Sequence, residues 1–350
     1  MQTTIDANNI KKILVVRNDK LGDLLVSFSA FAILKKNLPN TEIHVLVSKY
    51  TAPMAKLCKF IDQVIVDPAS TTPDSNKIKD TFALAKLLKA QNYDAIITLF
   101  STLSVGLAAF MAKIPVRIAP ATKIAQVFYN YRITQHRSRS EKPELCYNLE
   151  LGECLLSLSN IVPLQTVQPP FMKFKSETIQ QLKQDFLNAH NIAYDNLLVF
   201  IHPGSGGSAR NLSPQQFAQL ANKLTSNKPL TIVVSYGPKE GQAAEATFAE
   251  ITQEKVLYES KSGLESFSQH LQFADCFISG STGPLHIAGV LDRPTAAFYT
   301  RRRSATSLRW QTLNSEKNRL AFSPPETSEA ENMSTINIEQ AANKISKTFL

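Results

Sequence analysis

Asp23 is the residue in this chain best placed to do chemistry. It follows KILVV (residues 12–16), a short apolar run that reads as a buried strand, and a polar turn over residues 17–21. From Asp23 onward, LLVSFSAFAILKKNL has the apolar spacing of a helix, predicted over residues 23–37. A carboxylate is thus expected in the first turn of a helix at the carboxyl end of a parallel strand, the edge where open α/β sheets bind their ligands. There it can accept a proton from an incoming hydroxyl. It can equally well just complement the helix dipole, worth roughly 0.3–1 kcal/mol.

Two loops in the second half of the chain have the composition of an anion site. In HPGSGGSAR (residues 202–210), glycines and side-chain donors, Ser205 and Gly206 among them, can wrap a phosphate while Arg210 adds a fixed positive charge; a tight turn fits the same string. In SGSTGPLH (residues 279–286), Ser281, Thr282 and Gly283 lie where backbone N–H groups and hydroxyls converge at a helix start, and Pro284 falls near the first helical position, where its missing N–H costs nothing. His286, one turn in, can reach a phosphate or ribose or can be a satisfied core histidine. Together the loops suggest a bound diphosphate. The chain contains no GxxxxGK[ST], no GxGxxG after its first strand and no Asp-x-Asp. Those absences argue against P-loop hydrolysis, a standard dinucleotide fold and a metal-chelated nucleotide sugar. A metal-free site has to neutralise a leaving diphosphate with helix dipoles and side chains.

The elements that position these residues alternate. Strands are expected at residues 12–16, 42–47, 63–66, 95–99 and 116–119, with helices at 23–37, 50–58, 77–91, 103–112 and 145–158. After a proline-containing linker at 160–174 the alternation restarts: helices at 176–190, 214–225, 239–251, 263–273 and 284–290, and strands at 197–202, 230–235, 275–279 and 295–299. Residues 314–334 read as a loop. Such alternation means parallel sheets covered on both faces, here as two α/β halves facing each other across a cleft. The expected domains are residues 1–165 and 166–335, with a closing helix at 336–350. At 350 residues and 43% hydrophobic composition the chain can bury two cores. Its four cysteines show no metal or disulfide spacing and read as reduced thiols in a cytosolic protein. MQTTIDANNIKK has no apolar stretch of the signal-peptide kind. Residues 95–112 carry no charge, but a strand, a turn and a packed helix explain that run better than a membrane span.

The net charge of +9 is uneven: residues 1–165 have 20 Lys/Arg against 13 Asp/Glu, and residues 166–350 have 18 against 16. The cluster Arg132, His136, Arg137, Arg139 and Lys142 favours an anionic partner or an anionic membrane face, or is a solvated loop. No nucleic-acid-binding signature accompanies it.

Four stretches in order resemble glycosyltransferase family 9, the heptosyltransferases: KILVVRNDKLGDLLVSFSAFAILKKNLPNTEIHVLV, FIHPGSGGSARNLSPQQFAQLANKL, SYGPKE and ADCFISGSTGPLHIAGVLDRPTAAFY. The resemblance implies GT-B architecture, two Rossmann-like doubly wound domains, with the acceptor on the first and the nucleotide sugar on the second. It implies Asp23 as general base in an inverting, metal-independent transfer of heptose from an ADP-sugar to a lipopolysaccharide inner-core acceptor. Lys20, Gly22 and Arg137 are then expected on the acceptor side. Ser205, Gly206, Arg210, Ser281, Thr282, Gly283 and His286 are expected on the donor side, and no metal or further cofactor is expected. The partners implied are the nucleotide sugar and an anionic lipid-linked saccharide, with peripheral contact at the cytoplasmic face of an inner membrane. The sequence departs from the family pattern at Ser281, where an aspartate is usual, at Arg210 for a lysine, at Leu212-Ser213 for Trp-Pro, and at Arg301-Arg302-Arg303. Another nucleotide sugar and glycan, a GT-B nucleotide-sugar epimerase and a binding-only relative are the alternatives.

Overall fold

The computed structural model describes residues 5–71, 77–164, 167–207 and 210–350. Two compact units make up the chain: Met1–Ser138 with Lys142–Val167, and Arg139–Glu141 with Gln168–Leu350.

The first unit contains strands β1 (Lys12–Val16), β2 (Glu42–Val47), β3 (Gln63–Val66), β4 (Ala95–Thr98), β5 (Val116–Pro120) and β6 (Tyr131–Ile133), with helices α1 (Leu21–Val26), α2 (Phe28–Asn37), α3 (Ala52–Lys56), α4 (Lys77–Gln91), α5 (Leu103–Met111) and α6 (Glu144–Leu158). The sheet is wholly parallel, in the order β3-β2-β1-β4-β5-β6. Ile13 to Val16 are all fully buried, which requires cover on both faces of β1 and explains why this strand reads as an unbroken apolar run. α4 and α5 cover Leu14, Val16 and Ile96, while α2 packs on α6. The helix expected over 23–37 is two helices. α1 ends where the Ser27 N–H turns to the Leu24 carbonyl at 3.0 Å, and the buried Ser27 hydroxyl donates to the same carbonyl at 2.5 Å.

The second unit contains α7 (Ser176–Ala189), β7 (Leu197–His202), α8 (Pro214–Lys223), β8 (Leu230–Tyr236), α9 (Gly241–Glu250), β9 (Lys255–Glu259), α10 (Gly263–Leu271), β10 (Cys276–Gly280), α11 (Gly283–Val290), β11 (Thr295–Phe298), β12 (Arg319–Phe322) and α12 (Ile338–Phe349). Its sheet is also parallel, in the equivalent order β12-β11-β10-β7-β8-β9. α12 packs on α8, burying Ala341, Ala342 and Ile345 in this unit's core. Phe171 and Met172 are buried too, and the Phe171 N–H donates to the Val290 carbonyl at 2.8 Å, so the end of the proline-rich segment belongs to the second unit. The edge strands β6 (YRI), β9 (KVLYE) and β12 (RLAF) were not expected; each is only partly buried and sets at most three apolar residues in a row beside a charged residue. β12 lies inside the stretch read as a loop. Among the described residues no helix is long and apolar enough to cross a membrane.

Candidate active site

In both sheets the strand order reverses beside the first strand, between β1 and β4 and between β7 and β10. Crevices at the carboxyl ends of strands at such points are where doubly wound sheets take ligands. The residues with chemical potential gather there.

In the first unit, Lys20 caps α1 and is exposed, Gly22 lies in the first turn, and Asp23 is 15% exposed. Arg17, the residue after β1, continues the ladder through its N–H to the Leu46 carbonyl and turns its side chain inward, where it is 1% exposed. Its guanidinium binds Asp23 Oδ1 through Nη2, meets Asp19 Oδ1 at 3.0 Å through Nε, and meets Glu144 Oε1 at 3.4 Å and Asn148 Oδ1 at 3.2 Å through Nη1. Glu144 and Asn148 stand one turn apart at the start of α6, so that helix holds the far side of the fork. Arg137 is drawn into the same network: it donates to Glu144 Oε1 at 2.8 Å and to Gln135 Oε1 at 3.0 Å. Two guanidinium groups therefore face three carboxylates. Burial pushes the Asp19 carboxyl up to about 6 against the pull of Arg17, and Asp23 and Glu144 add to the rise. Burial alone would lower Arg17, but Asp19, Asp23 and Glu144 outweigh it and hold it above its ordinary value.

In the second unit, His202 closes β7 and bridges Ser235 Oγ at 3.2 Å through Nδ1 and Glu240 Oε2 at 3.2 Å through Nε2. Glu240 also accepts from the N–H groups of Gly237 at 3.0 Å and Gly206 at 3.1 Å. The His202 contact holds its carboxyl down at about 2, against its partial burial and with help from the two N–H groups. The Gly206 N–H expected to cradle a phosphate is thus turned to Glu240. A Cβ on Gly204 would fall 2.4 Å from the Glu240 carboxyl carbon, so a side chain there would displace it. Gly206 and Gly207 take φ of +51° and +74°. The Ser205 hydroxyl accepts from the Gly207 N–H at 3.4 Å, and Arg210 is exposed. Ser208 and Ala209 lie outside the described residues.

The second loop is packed against the first. Asn211 donates to the Pro203 carbonyl at 3.1 Å, and Gly280 lies so close to it that a Cβ would be 2.4 Å from Oδ1. Ser281 is half-buried, Thr282 caps α11 without a side-chain cap bond, and Gly283 begins the helix. The Thr282 hydroxyl is buried with no hydrogen-bond partner among the described residues, a group that a phosphate oxygen at the helix start would satisfy. His286 is 4% exposed and packs edge-on against Trp310, 6.4 Å between ring centres. Of the arginine triplet, Arg301 donates to the Ser328 carbonyl at 2.5 Å, tying down the chain after β12, and Arg302 approaches Glu331 at 3.9 Å.

Residues 81–337 match glycosyltransferase family 9 (heptosyltransferase). The chain belongs to glycosyltransferase family 9. This family 9 enzyme is 38% identical over 339 residues to a Haemophilus influenzae protein provisionally named a glycosyltransferase, covering 96% of both chains. Its fold superposes on the glycosyl transferase family 9 structure from Veillonella parvula with a TM-score of 0.82 at 15% identity, covering 99% of each chain. On the Escherichia coli ADP-heptose lps heptosyltransferase II the TM-score is 0.75 at 16% identity, covering 97% of this chain and 98% of that one. At these identities the superpositions establish the GT-B fold. Sequence reading of this family 9 member missed Arg17, Asp19, Glu144, Asn148, Asn211 and Glu240. Arg17, directly after an apolar strand, and Glu240, three residues after a strand-end glycine, were the visible signals. The pairing of Arg17 with Glu144 was not visible, because 127 positions separate them.

Proposed function

We propose that this glycosyltransferase moves a heptose or related sugar from an ADP-sugar to an anionic, lipid-linked saccharide of the lipopolysaccharide inner core, at the cytoplasmic face of the inner membrane. The observation that carries the reading is Asp23, anchored through Oδ1 to a fully buried Arg17 at the switch point of the first sheet. A base so anchored keeps a fixed direction while Oδ2 is left to meet the acceptor hydroxyl. The hydroxyl oxygen attacks the anomeric carbon, its proton passes to Asp23, and the bond to the diphosphate breaks, so the nucleoside diphosphate leaves with the electron pair and the configuration inverts. Arg210, the orphaned Thr282 hydroxyl and the start of α11 are the groups that would receive the diphosphate, with no metal ion required. Lys20 and Gly22 flank Asp23 on the acceptor side; Arg137, tied to Glu144 and Gln135, supports the same wall from behind. The heptosyltransferase description of the family supports the donor class.

The test is release of ADP from ADP-heptose in the presence of a heptose-acceptor core lipid, with EDTA and with magnesium. ADP formed only with acceptor, and equally under both conditions, supports the reading. Conversion of the donor without acceptor replaces it with an epimerase. A second reading, another nucleotide sugar, is favoured by the uncharged Ser281 at the donor loop. A thermal-shift series with ADP, UDP, GDP, CDP and dTDP at one concentration separates the two, because the stabilisation grows with the logarithm of concentration over Kd and is largest for the tightest binder.

A further inference from the structure

α5 lacks the polar face that a surface helix ordinarily presents. Its inner stripe of Val105, Ala108 and Ala109 is in the core. Its outer stripe at i, i+4 and i+7 is Leu103, Leu107 and Phe110, of which Leu103 and Phe110 are 56% and 54% exposed. An amphipathic helix on a water-facing surface carries charged or polar residues there; α5 has no charged residue. The 3-10 turn Ile124–Phe128, which connects β5 to β6, packs beside it. A Cβ on Gly106 would stand 3.2 Å from the Phe128 ring, and the Phe110 and Phe128 rings are 5.9 Å apart. That turn exposes Ile124 at 79% and Val127 at 65%, and Phe100, just past β4, adds a further 38% exposed ring. The result is a contiguous apolar face built from consecutive elements of one unit.

The charge along this stretch of chain has one sign. Residues 95–134 contain no Asp or Glu, and they contain Lys113, Arg117, Lys123 and Arg132. The Lys123 ammonium lies 4.5 Å over the Phe100 ring, and the Arg117 guanidinium lies 5.6 Å from the Phe110 ring centre. Lys113, Lys123 and Arg132 are exposed. Apolar side chains that can enter the acyl boundary, ringed by cations that meet headgroups, are the components of an interfacial membrane anchor. Phe100 follows β4, the immediate neighbour of β1 in the sheet, so the face borders the switch point that holds Asp23.

We infer that the face formed by Phe100, Leu103, Phe110, Ile124 and Val127 docks on the surface of an anionic phospholipid bilayer. The inference deepens the reading of the acceptor as lipid-linked and rests on it for its biological sense: it sets the membrane beside the base, where a saccharide carried by a lipid would arrive.

The experiment is co-sedimentation of the full chain with vesicles of phosphatidylethanolamine and phosphatidylglycerol, and with vesicles of phosphatidylcholine alone, without donor or acceptor. Wild type is expected to bind the anionic vesicles, more weakly at high salt. Ile124→Glu with Val127→Glu should reduce that binding about tenfold or more. Lys123→Glu with Arg132→Glu should reduce it about fivefold per charge on anionic vesicles alone. Unchanged melting temperatures show that the variants are folded. Wild type that ignores anionic vesicles, or an Ile124→Glu/Val127→Glu variant that binds them as wild type does, overturns the inference. So does a wild-type dimer that the same variant converts to monomer without any vesicle binding, because a second copy then covers the face. ADP release on a delipidated, water-soluble acceptor is measured in parallel. Vesicle binding without ADP release sinks the transfer reading alone, and ADP release without vesicle binding sinks the docking surface alone.

Discussion

A fully buried guanidinium is tolerable only when its charge is met, and Asp19, Asp23 and Glu144 meet that of Arg17. Arg17→Met leaves Asp23 and Glu144 facing each other without it and should cost about 3–5 kcal/mol of stability in urea unfolding. Arg17→Lys keeps the charge but loses the fork that reaches Asp23 and Glu144 together. It should lower kcat while nucleotide affinity in a thermal-shift titration stays level. Asp23→Ala should lower turnover by about 10²–10⁴-fold, again with nucleotide affinity unchanged; an equal loss of nucleotide affinity would remove Asp23 from the role of base. Asp19 supplies the pH dependence. Its folded-state value is raised to about 6 from an ordinary 3.8, so its contribution to stability is complete below 3.8 and is lost as pH rises through about 6. Asp19→Asn should therefore stabilise the protein at pH 8 and change little at pH 3.5, as read from denaturant midpoints at the two values. Glu240 has the opposite sign: its contribution is present above 4.5 and is lost as pH falls through about 2.

At the scale of elements, the local signals that could be read were strong ones. α8 starts where Ser213-Pro214 says it should. The Ser213 hydroxyl accepts from the Gln216 N–H at 3.2 Å, Gln216 Oε1 accepts from the Ser213 N–H at 3.1 Å, and Pro214 occupies the first turn. Ser213→Ala should lower stability by about 1 kcal/mol, seen as a reduced urea midpoint with unchanged slope. The central strands were legible because burial on both faces leaves an unbroken apolar run. β6, β9 and β12 were not: each is only partly buried, so its sequence mixes exposed and packed positions and its pairing with a neighbour decides the strand. The break at Ser27 was hidden for a related reason: apolar spacing continues through it, and α1 ends where both the N–H and the hydroxyl of Ser27 turn to the Leu24 carbonyl. The site divides the same way. Asp23 and the two glycine-bearing loops could be found from local pattern, whereas the wall behind Asp23 comes from α6 and the clamp on Gly206 comes from the turn after β8. Those are contacts between residues far apart in the chain, and no window of sequence contains both partners.

At the scale of the molecule, the same six-stranded order occurs twice, and each unit puts its chemistry at its own reversal of strand order. The proposed division of donor and acceptor between the units has a direct consequence for exchange with solvent. ADP should protect the amides around residues 202–207 and 280–286 in hydrogen–deuterium exchange and leave those around Asp23 unchanged. Protection confined to the first unit would reverse the assignment of donor and acceptor. The charge follows the division too: an excess of seven positive charges falls in residues 1–165 and of two in 166–350, so added salt should weaken capture of an anionic acceptor more than of the nucleotide.

Asn211 and Gly280 make one prediction that genetics can read. With Gly280 against the Asn211 amide, the two glycine-bearing loops share a single space, and only one of the two positions can carry bulk. Gly280→Ala should be a loss-of-function allele, because the new methyl pushes Asn211 from the Pro203 carbonyl and frees the loop that it pins. A smaller residue at Asn211 should not rescue it, because it removes the same bond to Pro203, so selection for revertants should return glycine at position 280.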